Sequence, residues 1–303
     1  MKHLLFVFLD GVGIGANNPA SNPFLQAKMP TWRGLAGDDW LTLGDLAPRQ
    51  TAHATLLAAD ATLGVAGIPQ SGTGTTALLT GQNAPAMLGR HDGPYPPSKI
   101  RPLLQEHNLL SRVSAQNGRC AFANAYPPFY LKRIERGTAR RTTCLQAALA
   151  AGVPIRTYED LIAGNALSGW ITNEHWRKVE LAVPDITPFV AGQNLAQIAL
   201  NHEVTLFEYF HTDHLGHRPN MNNAHATLEL LDAFLAALLD TLDPTRDLLI
   251  LASDHGNFEA LNHSKHTRNP TLVTLWGHQH AEVASNITQT TDVVPALMEW
   301  LGR

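Results

Sequence analysis

Three apolar runs in the 303-residue chain each end on an acidic residue and pass into a turn: LLFVFLDG at Asp10, TLFEYFHTDHLGH at Asp213 and His217, and LLILASDHGN at Asp254 and His255. Carboxylate and imidazole are ligands for divalent cations such as zinc, manganese or magnesium. Asp213 and His217 stand four residues apart, so one turn of helix after the run would bring both onto one face. Alone, a D-x-x-x-H spacing is a common surface turn. Its place directly behind a buried run is what gives it weight. SDHGN has a bland alternative as well, a tight turn at Gly256 with Asp254 accepting backbone hydrogen bonds. His211 and His214 are close enough in sequence to support such ligands from behind. A further imidazole-rich loop, NHSKHTRNP, adds His263 and His266.

Ser71 in PQSGTGTTALLTG is a glycine-flanked hydroxyl where a loop enters an apolar helix, and a helix N-terminus favours a phosphate. A hydroxyl there is an N-cap by default. It becomes a nucleophile if a metal lowers its pKa. Thr73 competes for the same role. A Walker phosphate loop is excluded because the Gly-Lys-Ser/Thr ending is missing, and GVGIG lacks the G-x-G-x-x-G spacing of a dinucleotide site.

Positioning these residues requires strands whose ends share one edge. Residues 3–9, 118–126, 204–210, 248–253 and 271–276 read as core strands, and the helix carrying Leu228, Leu231, Leu235, Leu238 and Leu242 keeps nearly a 3.6-residue period. Residues 51–64 and 98–117 read as helices, and Thr291 or Asp292 caps a last helix with Pro295 near its first turn. Strands alternating with helices make an α/β protein, and open sheets of this kind bind ligands at the carboxyl ends of their strands. The pattern weakens from about 127 to 190, the candidate insertion or cap. Its basic run, Lys132, Arg133, Arg136, Arg140 and Arg141, is either a solvated face or an anion-holding lid. Arg90, His91 and Asp92 follow the Ser71 helix closely enough to line a pocket.

The net charge of -4, from 22 Lys and Arg against 26 Asp and Glu, offers nucleic acid and anionic membranes no general attraction. Two cysteines, Cys120 and Cys144, do not make a disulfide scaffold, and a reducing cytoplasm is the expected compartment. The apolar opening is cut by Asp10 after about seven residues and reads as a strand, not a leader. No apolar stretch reaches the roughly 20 residues needed to span a bilayer.

LDGVGIG, PQSGTGTTALLTG, DHLGH, SDHGN and KHTRNP, in that order, resemble the alkaline phosphatase superfamily, nearest the branch of cofactor-independent phosphoglycerate mutase and phosphopentomutase. The resemblance covers roughly residues 1–90 and 200–303. It implies a single three-layer α/β/α sandwich over 1–303 with a mostly parallel sheet, a small insertion and two divalent metals. Asp213, His217 and His266 would hold one metal; Asp10, Asp254, His255 and the Ser71 hydroxyl would hold the other. It selects Ser71 over Thr73, and His266 over His263. The implied activity is two-metal phosphoryl transfer on a small phosphorylated substrate, with ester hydrolysis through phosphoserine first and a phosphomutase as alternative. Thr75 stands where the mutase branch usually has His, residues 82–200 are short for that mutase's second domain, and the sulfatase C/S-x-P-x-R setting is absent. A non-catalytic, metal-dependent phospho-ligand binder is the alternative from another class.

Overall fold

The computed structural model describes residues 2–178 and 181–303; Met1, and Val179 and Glu180 within the expected insertion, lie outside the described residues. Seven strands form one sheet: β1 (Leu4–Leu9), β2 (Arg49–Gln50), β3 (Ala54–Ala59), β4 (Cys120–Phe122), β5 (Val204–Tyr209), β6 (Leu248–Ala252) and β7 (Thr271–Gly277). Their order is β2-β3-β7-β6-β1-β5-β4. β1 pairs in parallel with β5 on one side and β6 on the other, and β4 extends the parallel set beyond β5. β7 is antiparallel to both neighbours, and β2 to β3. The strands that precede Asp10, Asp213 and Asp254 are therefore side by side and point the same way.

Alternation along β1 explains its unbroken apolar run. Leu5, Val7 and Leu9 belong to the core on one face, and Leu4, Phe6 and Phe8 to the core on the other. A strand covered by helices on both sides has no polar face to show. The first face is covered by α1 (Pro30–Leu35), α10 (Pro188–Leu200) and α12 (Met221–Thr241), with Trp32, Leu195, Leu228, Leu231, Leu235 and Leu238 in its core. The second face carries α2 (Ser71–Thr80), α5 (Leu109–Ser114), α7 (Thr143–Ala150), α13 (His280–Ser285) and α14 (Val293–Trp300), through side chains such as Leu78, Leu110, Leu145, Val283 and Leu297. The remaining helices are short: α3 (Ala84–Leu88), α4 (Arg101–Glu106), α6 (Pro128–Glu135), α8 (Tyr158–Ile162), α9 (Glu174–Lys178) and α11 (His211–Gly216). The expected α/β/α architecture is present.

Two element assignments differ from expectation. ATLLAA, expected within a helix over 51–64, is strand β3, paired with β7 from Ala54 opposite Trp276 to Ala59 opposite Thr271. Ala and Leu favour helix intrinsically, and periodicity cannot separate a short buried strand from a buried helix. Asp60 ends the strand by accepting from Thr62 N–H at 2.9 Å and Leu63 N–H at 3.0 Å. Residues 98–117 form two helices instead of one. Asn108 interrupts them, and its side chain caps α5 by accepting from Ser111 N–H at 3.0 Å.

Within 127–190, α7 inserts Cys144, Leu145, Ala147 and Ala148 into the sheet's own core, whereas Leu161, Ala166, Trp176 and Val183 gather in a smaller cluster with Ala125. Both cysteines are free. Among the described residues no helix is long and apolar enough to cross a membrane.

Candidate active site

Asp10 leaves β1 into a turn at Gly11, whose φ of +73° and whose fit against Asp213, where a Cβ would lie 2.9 Å from that residue's own Cβ, both demand glycine. Asp213 lies in α11 and His217 is the C-cap of that helix, directly behind β5, and Asp254 and His255 follow β6. The loop before β7 brings back His266. The four segments converge at one edge of the sheet, where two groups of potential metal-binding side chains form: Asp213, His217 and His266, and Asp10, Asp254 and His255, each with its ligand atoms within 4.8 Å of one another. The rings of His255 and His266 stack at 3.9 Å, so the two groups adjoin.

The chemistry of the donors fits a cation in each group. His217 Nδ1 is 2.9 Å from the Ser264 carbonyl and His266 Nδ1 is 3.0 Å from the Pro69 carbonyl. A carbonyl only accepts, so each Nδ1 carries a proton, and in the neutral ring each Nε2 turns a lone pair inward. Those two Nε2 atoms face each other at 3.0 Å, with Asp213 oxygens 3.3 and 3.4 Å away. In the second group, Asp10 Oδ1 is buried without a hydrogen-bond partner among the described residues, 3.4 Å from His255 Nε2. Lone pairs and carboxylates crowded in this way call for positive charge.

The titration shifts report the same crowding. Burial, then the charges of Asp254, Asp213 and Glu208, push the Asp10 carboxyl well above the usual range. Burial opposes ionisation of Asp213 too, but the hydrogen bond from His266, the charge of His255 and the Asn257 hydrogen bond outweigh it and hold that carboxyl low. Burial would lower His266, yet its hydrogen bond and attraction to Asp213 raise it. His255 is lowered, chiefly by burial, with Asp254 pulling the other way.

Ser71 is the first residue of α2, and its Oγ lies 2.9 Å from His255 Nε2. It lines a 430 Å³ pocket together with Asp10, Thr75, Asp213 and His217. Thr73 is fully buried instead, its hydroxyl bonded to the Gln70 and Asp92 carbonyls and accepting from Asp92 N–H. Thr75 donates to Asp254 Oδ2 at 2.6 Å. The glycines of SGTG let the helix sit this close: a Cβ on Gly74 would lie 2.8 Å from the Asp254 carbonyl oxygen, and one on Gly72 2.5 Å from that of Tyr95.

The other candidates lie elsewhere. His263 is on an exposed stretch of its loop, accepting from Lys265 N–H. His211 and His214 stack on each other at 5.7 Å, and His214 meets Arg218 at the pocket rim. Arg90 pairs with Asp92, whose carbonyl accepts from Thr73 N–H behind the start of α2. Lys132, Arg133, Arg136 and Arg140 are exposed, Arg141 donates to the Ile134 carbonyl, and none of the five is among the described residues lining the Ser71 pocket.

Three buried polar residues escaped the sequence analysis. Glu208 on β5 lines the pocket, accepts from Thr142 Oγ1 at 2.8 Å, and is raised to about 7, chiefly by burial. Asn257 donates to Asp213 Oδ1 at 2.7 Å. Glu259 gathers Gly13 N–H, Asn257 N–H, the Thr267 hydroxyl and the Asn269 amide, tying three site loops together. An acidic residue inside the VTLFEYF strand was the one available signal for Glu208.

The same architecture recurs in solved structures. The PH0037 protein of Pyrococcus horikoshii matches with a TM-score of 0.59 at 12% identity, over 98% of this chain and 97% of that one. A cold-active alkaline phosphatase of Shewanella sp. matches with a TM-score of 0.55 at 11% identity, over 99% and 100%. The molecule thus has an alkaline-phosphatase-like α/β fold. Residues 1–300 match the family described as the Metalloenzyme superfamily, and the chain belongs to it. It is 27% identical over 131 residues to the 2,3-bisphosphoglycerate-independent phosphoglycerate mutase of Francisella tularensis subsp. novicida, and 26% over 132 residues to that of Cereibacter sphaeroides. Each match covers 41% of this chain and 25% of the relative, so the shared part is about a quarter of the mutase's length.

Proposed function

We propose that the chain is a two-cation phosphoryl-transfer enzyme, first a phosphate-ester hydrolase, acting as one unit over 1–303 with Ser71 as its nucleophile. Asp213, His217 and His266 would hold one divalent cation, zinc, manganese or magnesium; Asp10, Asp254 and His255, with the Ser71 hydroxyl, would hold the other. When bound, such a pair stabilises the attacking and leaving oxygens of an in-line displacement. The observation that carries the proposal is the Ser71 hydroxyl, 2.9 Å from His255 Nε2 at the start of α2 and open to the pocket between the clusters.

In the first step Ser71 Oγ loses its proton to solvent and attacks phosphorus. The bond from phosphorus to the ester oxygen breaks, and the alcohol leaves after taking up a proton. Water then attacks the phosphoserine; the bond between phosphorus and Oγ breaks, releasing inorganic phosphate and restoring the hydroxyl. Thr75 keeps Asp254 oriented, and Asn257 does the same for Asp213. Similarity to mutases favours a second reading, in which the phosphoryl group passes from Ser71 to another hydroxyl of the substrate instead of to water.

Chelator-stripped protein resupplied with manganese, zinc or magnesium should release phosphate from an aryl phosphate, and Ser71→Ala should lower turnover at least about a thousandfold. Trapped wild-type protein should carry the phosphoryl mass on residue 71. Ester isomerisation without phosphate release would identify a mutase. Retained turnover in Ser71→Ala would overturn the nucleophile assignment, and ligand binding without turnover under every metal would leave a phospho-ligand binder.

A further inference from the structure

Beside the pocket at Ser71 lies a second cavity of 330 Å³, and the two share Thr142, Glu208 and Phe210 as walls. Six of the residues around this cavity are aromatic: Tyr126, Phe129, Tyr130, Trp170, Trp176 and Phe210. Four of these rings pack in pairs. Tyr126 and Tyr130 stack at 5.1 Å, and Trp170 stands edge-on to Phe210 at 5.5 Å. Phe129 at the mouth is 53% exposed, an aromatic side chain left partly in water beside an apolar hollow. Concave, mostly apolar cavities with a few polar groups are what proteins use to hold small molecules.

Charge narrows the occupant. Among the described residues neither Lys nor Arg lines this cavity. His175, stacked on Trp170 at 4.5 Å, is held below its ordinary pKa by burial and then by Lys178. Glu208 at the junction is acidic. A second phosphate or a carboxylate would find no cationic side chain among these described walls, whereas a flat uncharged ring would find stacking surfaces.

Resting on phosphoryl transfer at Ser71, we propose that this cavity receives the ester group of the substrate, and that this group is an uncharged aromatic ring system carried on a phosphate monoester. With phosphorus at Ser71, the ester oxygen points across Glu208 and Phe210 and the ring enters between Tyr126, Phe129 and Trp170. The segment 127–190 then acts on specificity through its aromatic side chains, and not through its basic run.

The test compares alkyl esters of similar intrinsic reactivity: 2-phenylethyl, n-hexyl and n-propyl phosphate, with 3-phosphoglycerate as the doubly anionic case. The kcat/KM for the phenylethyl ester should exceed that for the propyl ester by roughly tenfold or more. Phe129→Ala should cut that ratio several-fold, while Phe189→Ala, an exposed aromatic outside the cavity, should leave it unchanged. Binding supplies a readout free of turnover: Ser71→Ala protein titrated with 2-phenylethylphosphonate should show quenched tryptophan fluorescence at concentrations where propylphosphonate has no effect. Equal turnover of phenylethyl and propyl esters overturns the ring subsite and leaves phosphoryl transfer standing. A preference for the hexyl ester or for 3-phosphoglycerate overturns it also. Selective phosphonate binding with no turnover of any ester retains the subsite and removes phosphoryl transfer.

Discussion

Asp213 and His266 are each defined by the other. Burial alone would push the His266 imidazole below its ordinary pKa, and the contact with Asp213 is what turns the shift upward. In metal-stripped Asp213→Asn the larger part of that pull is gone, so His266 should titrate lower than it does in the wild type. Its charged form in the wild type stabilises the fold at acid pH, and that contribution fades as pH rises through the raised value. Imidazole NMR titration of both proteins checks the direction; equal His266 values in the two would remove Asp213 as the cause.

Glu208 shifts the other way in consequence. A carboxyl raised from its ordinary value to about 7 binds its proton more tightly when folded, so it costs stability as pH climbs through the interval between those values and then stays constant. The cost at alkaline pH is on the order of 3 kcal/mol. Metal-stripped Glu208→Gln, which can still accept from Thr142, should therefore melt several degrees above the wild type at pH 8. The gap should shrink as pH falls through 7 towards 4.5. A gap independent of pH would mean that Glu208 is not a buried titrating acid.

At the scale of elements, β1, β5 and β6 were legible because burial on both faces leaves an unbroken apolar run, and the acidic residue that ends each run marks the strand's exit. Ser71 was legible for a similar reason, since the glycines that allow α2 to approach Asp254 also punctuate the sequence. β3 was not legible: ATLLAA becomes a strand only because β7 offers an edge, and pairing across more than two hundred residues leaves no local trace. Glu259 was invisible too. Its neighbours in sequence say nothing of the donors it collects, which come from the loop after β1, the loop after β6 and the HTRNP segment. With 1% of its surface exposed, its removal strands those donors away from water. Glu259→Ala should lower unfolding free energy by about 3 kcal/mol, and Glu259→Gln should recover part of it because the amide oxygen still accepts. Chemical denaturation measures both; a loss below about 0.5 kcal/mol for the Ala variant would show that the loops are held by something else.

Over the whole molecule the formal charge is only -4, yet Asp10, Asp213, Asp254 and Glu208 act on one another at a single edge of the sheet. The fold concentrates repulsion there because three parallel strands end together, and two lone-pair nitrogens, His217 Nε2 and His266 Nε2, are turned into the same space. Cation binding at such an edge would be linked to folding: an ion that binds only the folded chain adds about 2.7 kcal/mol per site at a hundredfold excess over its Kd. Chelation should lower the melting temperature by several degrees, and manganese or zinc should restore it. Sodium chloride at equal ionic strength should not, because screening acts weakly on buried charges. Asp213→Asn should lose part of the divalent-dependent rise, and the double variant Asp213→Asn with Asp10→Asn should lose most of it, since each removes a candidate ligand from a different cluster. Scanning calorimetry with and without chelator decides the matter: melting that ignores both chelator and divalent ions would mean that this edge of the sheet is not built around cations.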